Sequence, residues 1–197
     1  MKKTKIIAAI LLITATVIFF TTGNIAQDSP KFQYIGSKKC KMCHSADKKG
    51  GQFKSWEASK HAQAHAVLAS PEAKKIAAEK GIADPQKDGK CLKCHVTAYG
   101  VDAKFLGEKY SMEEGVGCES CHGAGEKYMD KKTMEELSLG KADAASVGLV
   151  IPGEKLCITC HNAESPTFKE FKFEEMHKKI AHPMPDEYKK EKGYPAK

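Results

Sequence analysis

The pattern Cys-x-x-Cys-His occurs four times in this chain, at Cys40–His44, Cys91–His95, Cys118–His122 and Cys157–His161. All eight cysteines fall within these repeats. A disulfide framework gives no reason for a histidine after every second cysteine. Paired Cys-x-x-Cys units would account for two zinc ions and leave four histidines unexplained. A thioredoxin-like redox motif normally occurs once. The pattern is instead the attachment site of a c-type haem. Each thiol bonds one vinyl group of the porphyrin, and the following His turns under the ring as proximal iron ligand. The chain is therefore expected to carry four c-type haems. Cys40, Cys43, Cys91, Cys94, Cys118, Cys121, Cys157 and Cys160 would hold them, with His44, His95, His122 and His161 on the irons.

The rest of the composition agrees with a cofactor-dominated interior. There is a single tryptophan, Trp56, and aromatic residues make up 8% of the 197 residues. Porphyrin must then supply much of the buried apolar surface, and the haem-free chain is not expected to fold stably. The basic residues are all lysine. They are interleaved with acids, as on a solvated face, and do not form a nucleic-acid-binding pattern. Eight haem propionates would add about −8, since carboxylates ionise at neutral pH.

Lys2, Lys3 and Lys5 precede an apolar run from Ile6 to Phe20, followed by a small, polar stretch ending at Ala26. This reads as a signal peptide over 1–26, with one tetrahaem domain over 27–197. Fifteen apolar residues are short for a bilayer span, so the mature protein is expected in the periplasm; an uncleaved anchor is the minor alternative.

Several segments read as helices. Ser37 is placed to cap a short helix carrying the first motif. Gln52 to Ala69 has helical spacing, which would set His61 and His65 about 40° apart on one face. Ser70-Pro71-Glu72 opens a helix running to Gly81, with Ser70 as N-cap. Residues 101–114 read as loop with a short hairpin, residues 133–139 as a weak helix and residues 142–153 as a linker. Pro166 to Ala181 reads as a last helix, stopped by Pro183, which also frees His182 from His177. The tail from Met184 is expected to fray.

Eight histidines in all leave four beyond the proximal set: His61, His65, His177 and His182. Four irons need at most four distal ligands, so ligation by two histidines at every iron is possible, with Met129, Met184 or water as alternatives. Saturated irons suit electron transfer, whereas an iron lacking a distal ligand can bind a small molecule.

In order, Lys38-Lys39-Cys40, Ser55-Trp56 with His61, Cys94-His95-Val96, Gly115 to Gly125 and Phe171-Lys172-Phe173-Glu174-Glu175-Met176 resemble the tetrahaem cytochrome c-554 family of ammonia-oxidising bacteria. The resemblance implies a mostly α fold with little or no sheet, its short helices and loops wrapped around four haems in stacked pairs. It also implies a periplasmic carrier taking electrons from a multihaem oxidoreductase and passing them to a cytochrome or quinone-linked membrane partner. By resemblance, His61 serves the third haem, a His after the Phe-Lys-Phe segment serves the fourth, and the second is five-coordinate. This chain departs from the family in having no His between Gly123 and Leu156 to serve the first haem, and in having an extra His65. The expected assignment is then His65 to the first haem and His182 to the fourth, with His177 left over. The alternative to a carrier is a redox enzyme for nitric oxide or hydroxylamine using one open haem.

Overall fold

A computed structural model describes residues 31–195; the expected signal peptide lies outside them. Among the described residues nine short helices follow one another: α1 Ser37–His44, α2 Gln52–Glu57, α3 Pro71–Glu79, α4 Gly89–His95, α5 Cys118–His122, α6 Lys131–Ser138, α7 Glu154–Cys157, α8 Phe173–Ile180 and α9 Asp186–Lys192. Single 3-10 turns punctuate the loops. Among the described residues there is no strand. In place of the expected hairpin, Tyr34 and Leu106 form one isolated parallel bridge. No described helix is long and apolar enough to cross a membrane.

The helices with local start signals form where those signals are. Ser70 Oγ accepts from Ala73 N at 3.1 Å, and Pro71 opens α3. Asp130 caps α6 through Thr133 N in the same way. Ser37 does not cap α1, which begins after Gly36. Its buried hydroxyl accepts from Cys118 N at 3.2 Å, tying the first motif to the third.

The helix expected over 52–69 ends at Glu57. In a continuous α-helix the carbonyls of His61 and Ala64 would accept from residues 65 and 68. Here the His61 carbonyl accepts from Val116 N at 3.0 Å. The Ala64 carbonyl accepts from His95 Nδ1 at 2.6 Å, and Leu68 N turns to the His65 carbonyl. Residues 58–65 are therefore a chain of tight turns, and the shared helical face of His61 and His65 does not exist.

The last helix also starts later than expected, at Phe173, and Phe168 and Phe171 lie outside it. The tail is not frayed throughout. Residues 186–192 form α9, closed by Gly193 in the left-handed conformation, with Tyr194 packed edge-on to Tyr188.

The protein core is thin. Ten apolar side chains are buried among the described residues, three of them alanines, and Leu68, Leu92 and Val96 form the one cluster, with Cys91 against it. Such a core leaves the interior to the cofactors.

Candidate haem sites

Each motif rides on a short helix or its end, so that its cysteines and histidine project from one turn. The third motif is the most constrained. Thr97 N donates to the Gly115 carbonyl at 2.9 Å, and Trp56 Nε1 donates to the Val116 carbonyl at 2.8 Å. Gly117 N donates to Thr97 Oγ1 at 2.7 Å. The carboxylate of Glu119, inside the motif itself, is buried. Its Oε1 accepts from Ile35 N (2.8 Å) and Gly125 N (2.7 Å), and its Oε2 accepts from Gly36 N (2.8 Å). Burial pushes this carboxyl above its ordinary range, while the three amide donors pull the other way.

Gly115 has φ +67°, and a Cβ there would lie 2.7 Å from the His61 carbonyl oxygen. That glycine lets the His61 turn lie directly on the third motif.

The motifs come together in pairs. The Cys118 thiol is close enough to Cys40 to raise the pKa of Cys40, and that of Cys94, raised chiefly by burial, is raised further by the Cys160 thiol. First and third motifs are thus neighbours, as are second and fourth, and Lys93 bridges the latter pair through Glu164. Burial pushes the Cys121 thiol up to about 11. Cys43 is exposed, and the other seven cysteines are half-buried.

The histidines carry the decisive geometry. His61 and His161 have ring centres 6.0 Å apart, and His122 and His182 have theirs 6.1 Å apart, each pair inclined at 72°. Rings at this separation and angle are in edge-to-face contact, and each pair brings together two imidazoles that would both be near one bound iron.

The ring nitrogens agree. His95 Nδ1 donates to the Ala64 carbonyl, His122 Nδ1 to the Val150 carbonyl at 3.2 Å, and His182 Nδ1 to the Ile180 carbonyl at 2.7 Å. A carbonyl only accepts, so Nδ1 bears the proton and Nε2 keeps a free lone pair for a metal. Burial holds His44, His61, His122 and His161 below the ordinary imidazole range, which favours the neutral, ligating form. The residues present fit a haem iron.

The ring of His61 lies beside that of His161, in the fourth motif, and the ring of His182 lies beside that of His122, in the third. The turns over 58–65 place the first, and the early end of α8, after which Ala181 is extended, places the second. His65 is half-buried, and its carbonyl accepts from Gln86 Nε2 at 3.3 Å. His177 is exposed on α8 and stacks on Phe173 at 5.2 Å.

The roles of Phe171, Val150 and Glu119 were not read from the sequence. Phe171 stacks on His161 at 4.8 Å, nearly parallel. The Val150 carbonyl fixes His122 from the middle of the expected linker. The only sequence signal for Glu119 is an acid inside a motif flanked by glycines.

Four attachment motifs on short helices, a thin core and paired imidazoles define a multihaem c-type cytochrome. Residues 39–123 match the family described as cytochrome c554 and c-prime. Over 95% of its length the chain is 33% identical to cytochrome c-554 of Nitrosomonas europaea, covering 88% of that protein. The structure is similar to that of reduced cytochrome c554 from Nitrosomonas europaea, with a TM-score of 0.55 and 30% identity over 78% of this chain and 85% of that one. The chain belongs to the cytochrome c-554 family. It is an electron-carrying c-type cytochrome with four haems, and its fold is mostly α, as its sequence implied.

Proposed function

We propose that this protein is an exported, periplasmic carrier that takes electrons from a multihaem oxidoreductase and delivers them to a cytochrome or quinone-linked partner. The eight motif cysteines hold the four haems, and His44, His95, His122 and His161 are the proximal ligands. His61 completes the iron of His161, and His182 completes that of His122. Haem supplies one-electron chemistry at iron. The chain's own contribution is to fix the rings of His95, His122 and His182 by carbonyls and that of His161 by Phe171, so that little moves when charge changes.

The observation that supports this reading is the pair of imidazole separations near 6 Å. Electron paramagnetic resonance of the oxidised holoprotein tests it. His61→Ala and His182→Ala are each expected to convert one low-spin haem to high spin, while His177→Ala leaves the count unchanged. An unchanged count in both of the first two variants would sink the assignment.

A second reading, nitrogen-oxide chemistry at an open iron, draws on the exposed position of His177 against Phe173, away from the motifs. Nitric oxide binding to a high-spin signal in the parent protein, with turnover, would favour it over carriage.

A further inference from the structure

We infer that Gln52 is the positioning residue of the first haem: its side-chain oxygen accepts the Nδ1 proton of His44 and so turns Nε2 to the iron. The inference rests on His44 being the proximal ligand of that haem.

The other motifs show what such a histidine needs. His95 Nδ1 donates to the Ala64 carbonyl and His122 Nδ1 to the Val150 carbonyl, while the ring of His161 is stacked on Phe171. Among the described residues His44 donates to no backbone carbonyl and stacks on no ring. A side chain is left to orient it.

Gln52 opens α2 behind two glycines in the left-handed region, Gly50 at φ +106° and Gly51 at φ +55°. They turn the chain tightly enough for the Gln52 side chain to fold back over Gly50, where a Cβ would lie 2.8 Å from Nε2. Nε2 donates to the Lys49 carbonyl. A carbonyl only accepts, so this bond fixes which end of the amide is nitrogen and which is oxygen. Oε1 is then turned away from Lys49. It is buried and has no donor among the described residues. The Pro183 carbonyl lies 2.6 Å from where a Gly50 Cβ would stand, so the segment that follows His182 packs on the same turn.

A buried acceptor without a donor is uncommon in a folded protein and calls for a partner. The neighbour that can supply a proton is His44. Burial lowers its pKa, and the Gln52 amide opposes that, as an acceptor beside a ring N–H does. An imidazole bound to iron through Nε2 carries its proton on Nδ1, which is the donor Oε1 lacks. Accepting that proton makes the ring more basic towards the metal. A more basic ligand favours ferric over ferrous iron, so Gln52 holds the potential of the first haem down.

The test titrates the holoprotein spectroelectrochemically and follows its ferric signals by paramagnetic resonance. Gln52→Leu removes the acceptor. It is expected to shift one of the four reduction steps about tenfold towards ferrous iron, which is about 59 mV for one electron, and to alter one ferric signal. Gln52→Glu supplies a stronger acceptor and should shift the same step the opposite way. Both variants break the bond to Lys49, so a role in packing alone would move them in the same direction. Gln52→Asn, which draws the amide back by one methylene, stands in for Gln52→Leu if that variant folds poorly, and should shift the step in the same sense. Shifts of one sign in both the leucine and glutamate variants overturn the inference, as does a step that stays within about twofold of the parent when the acceptor is removed. Either result, with four haems attached, leaves His44 as a ligand. A parent that carries only three haems would remove that assignment and the inference with it.

Discussion

Replacing Glu119 tests whether one side chain holds the first and third motifs together. Glu119 is 3% exposed and receives three backbone N–H groups, two from the distant segment Ile35–Gly36 and one from Gly125, six residues further on. Glu119→Ala leaves all three donors without an acceptor in a buried position. Each orphaned amide costs about 1–3 kcal/mol, so after partial relaxation the total is about 3–6 kcal/mol. That is a large fraction of the stability of a typical domain. At roughly 2–4 °C per kcal/mol for a chain of this size, melting of the holoprotein should fall by about 6–24 °C. Glu119→Gln keeps an oxygen for Ile35 and Gly125 but turns its amide donor towards Gly36 N–H. It also removes a charge that burial disfavours, so it should fall between the parent and the alanine variant.

The pH dependence follows from the raised pKa. A carboxyl whose folded pKa lies above its unfolded value contributes fully below the unfolded value, near pH 4, and loses that contribution as the pH rises through the folded one. The margin of the parent over Glu119→Gln should therefore narrow from acid to neutral pH. Far-UV circular dichroism against temperature is the assay. An alanine variant melting within about 3 °C of the parent would refute the reasoning.

Two further substitutions probe the same region. Gly115→Ala places a Cβ 2.7 Å from the His61 carbonyl oxygen at φ +67°, so the His61 turn must shift; a cost of about 2–4 kcal/mol and loss of the low-spin signal assigned to His61 are expected by thermal melting and paramagnetic resonance. Thr97→Val keeps the shape of a 5% exposed side chain but removes the acceptor of Gly117 N and the donor to the Gly115 carbonyl at 3.1 Å; about 2 kcal/mol should be lost, with both motifs still loaded with haem.

Much of the site was legible because its chemistry is local. A thiol pair and the next histidine must share one turn to serve one macrocycle, so spacing alone reveals them. The Ser70 cap and the stop before Pro183 were legible for the same reason. The continuous helix over 52–69 was not, because what ends it lies elsewhere in the chain. The His61 carbonyl is claimed by Val116, 55 residues later, and that of Ala64 by His95, 31 residues later. Those two bonds outweigh an alanine-rich segment with good helix propensity. The contact of Phe171 escaped similarly, since the helix expected over Pro166 to Ala181 would have included it, whereas it lies before α8 and stacks on the imidazole of His161. The common cause is the thin core. Where protein packs on protein, the apolar period of a helix records the face it buries. Where cofactors fill the interior, the backbone is free to spend its carbonyls on orienting ligands, and periodicity no longer reports what a residue faces. The positions of His61 and His182 are therefore set by local turns and a few long-range hydrogen bonds, and the motifs themselves carry no trace of which imidazole each one meets.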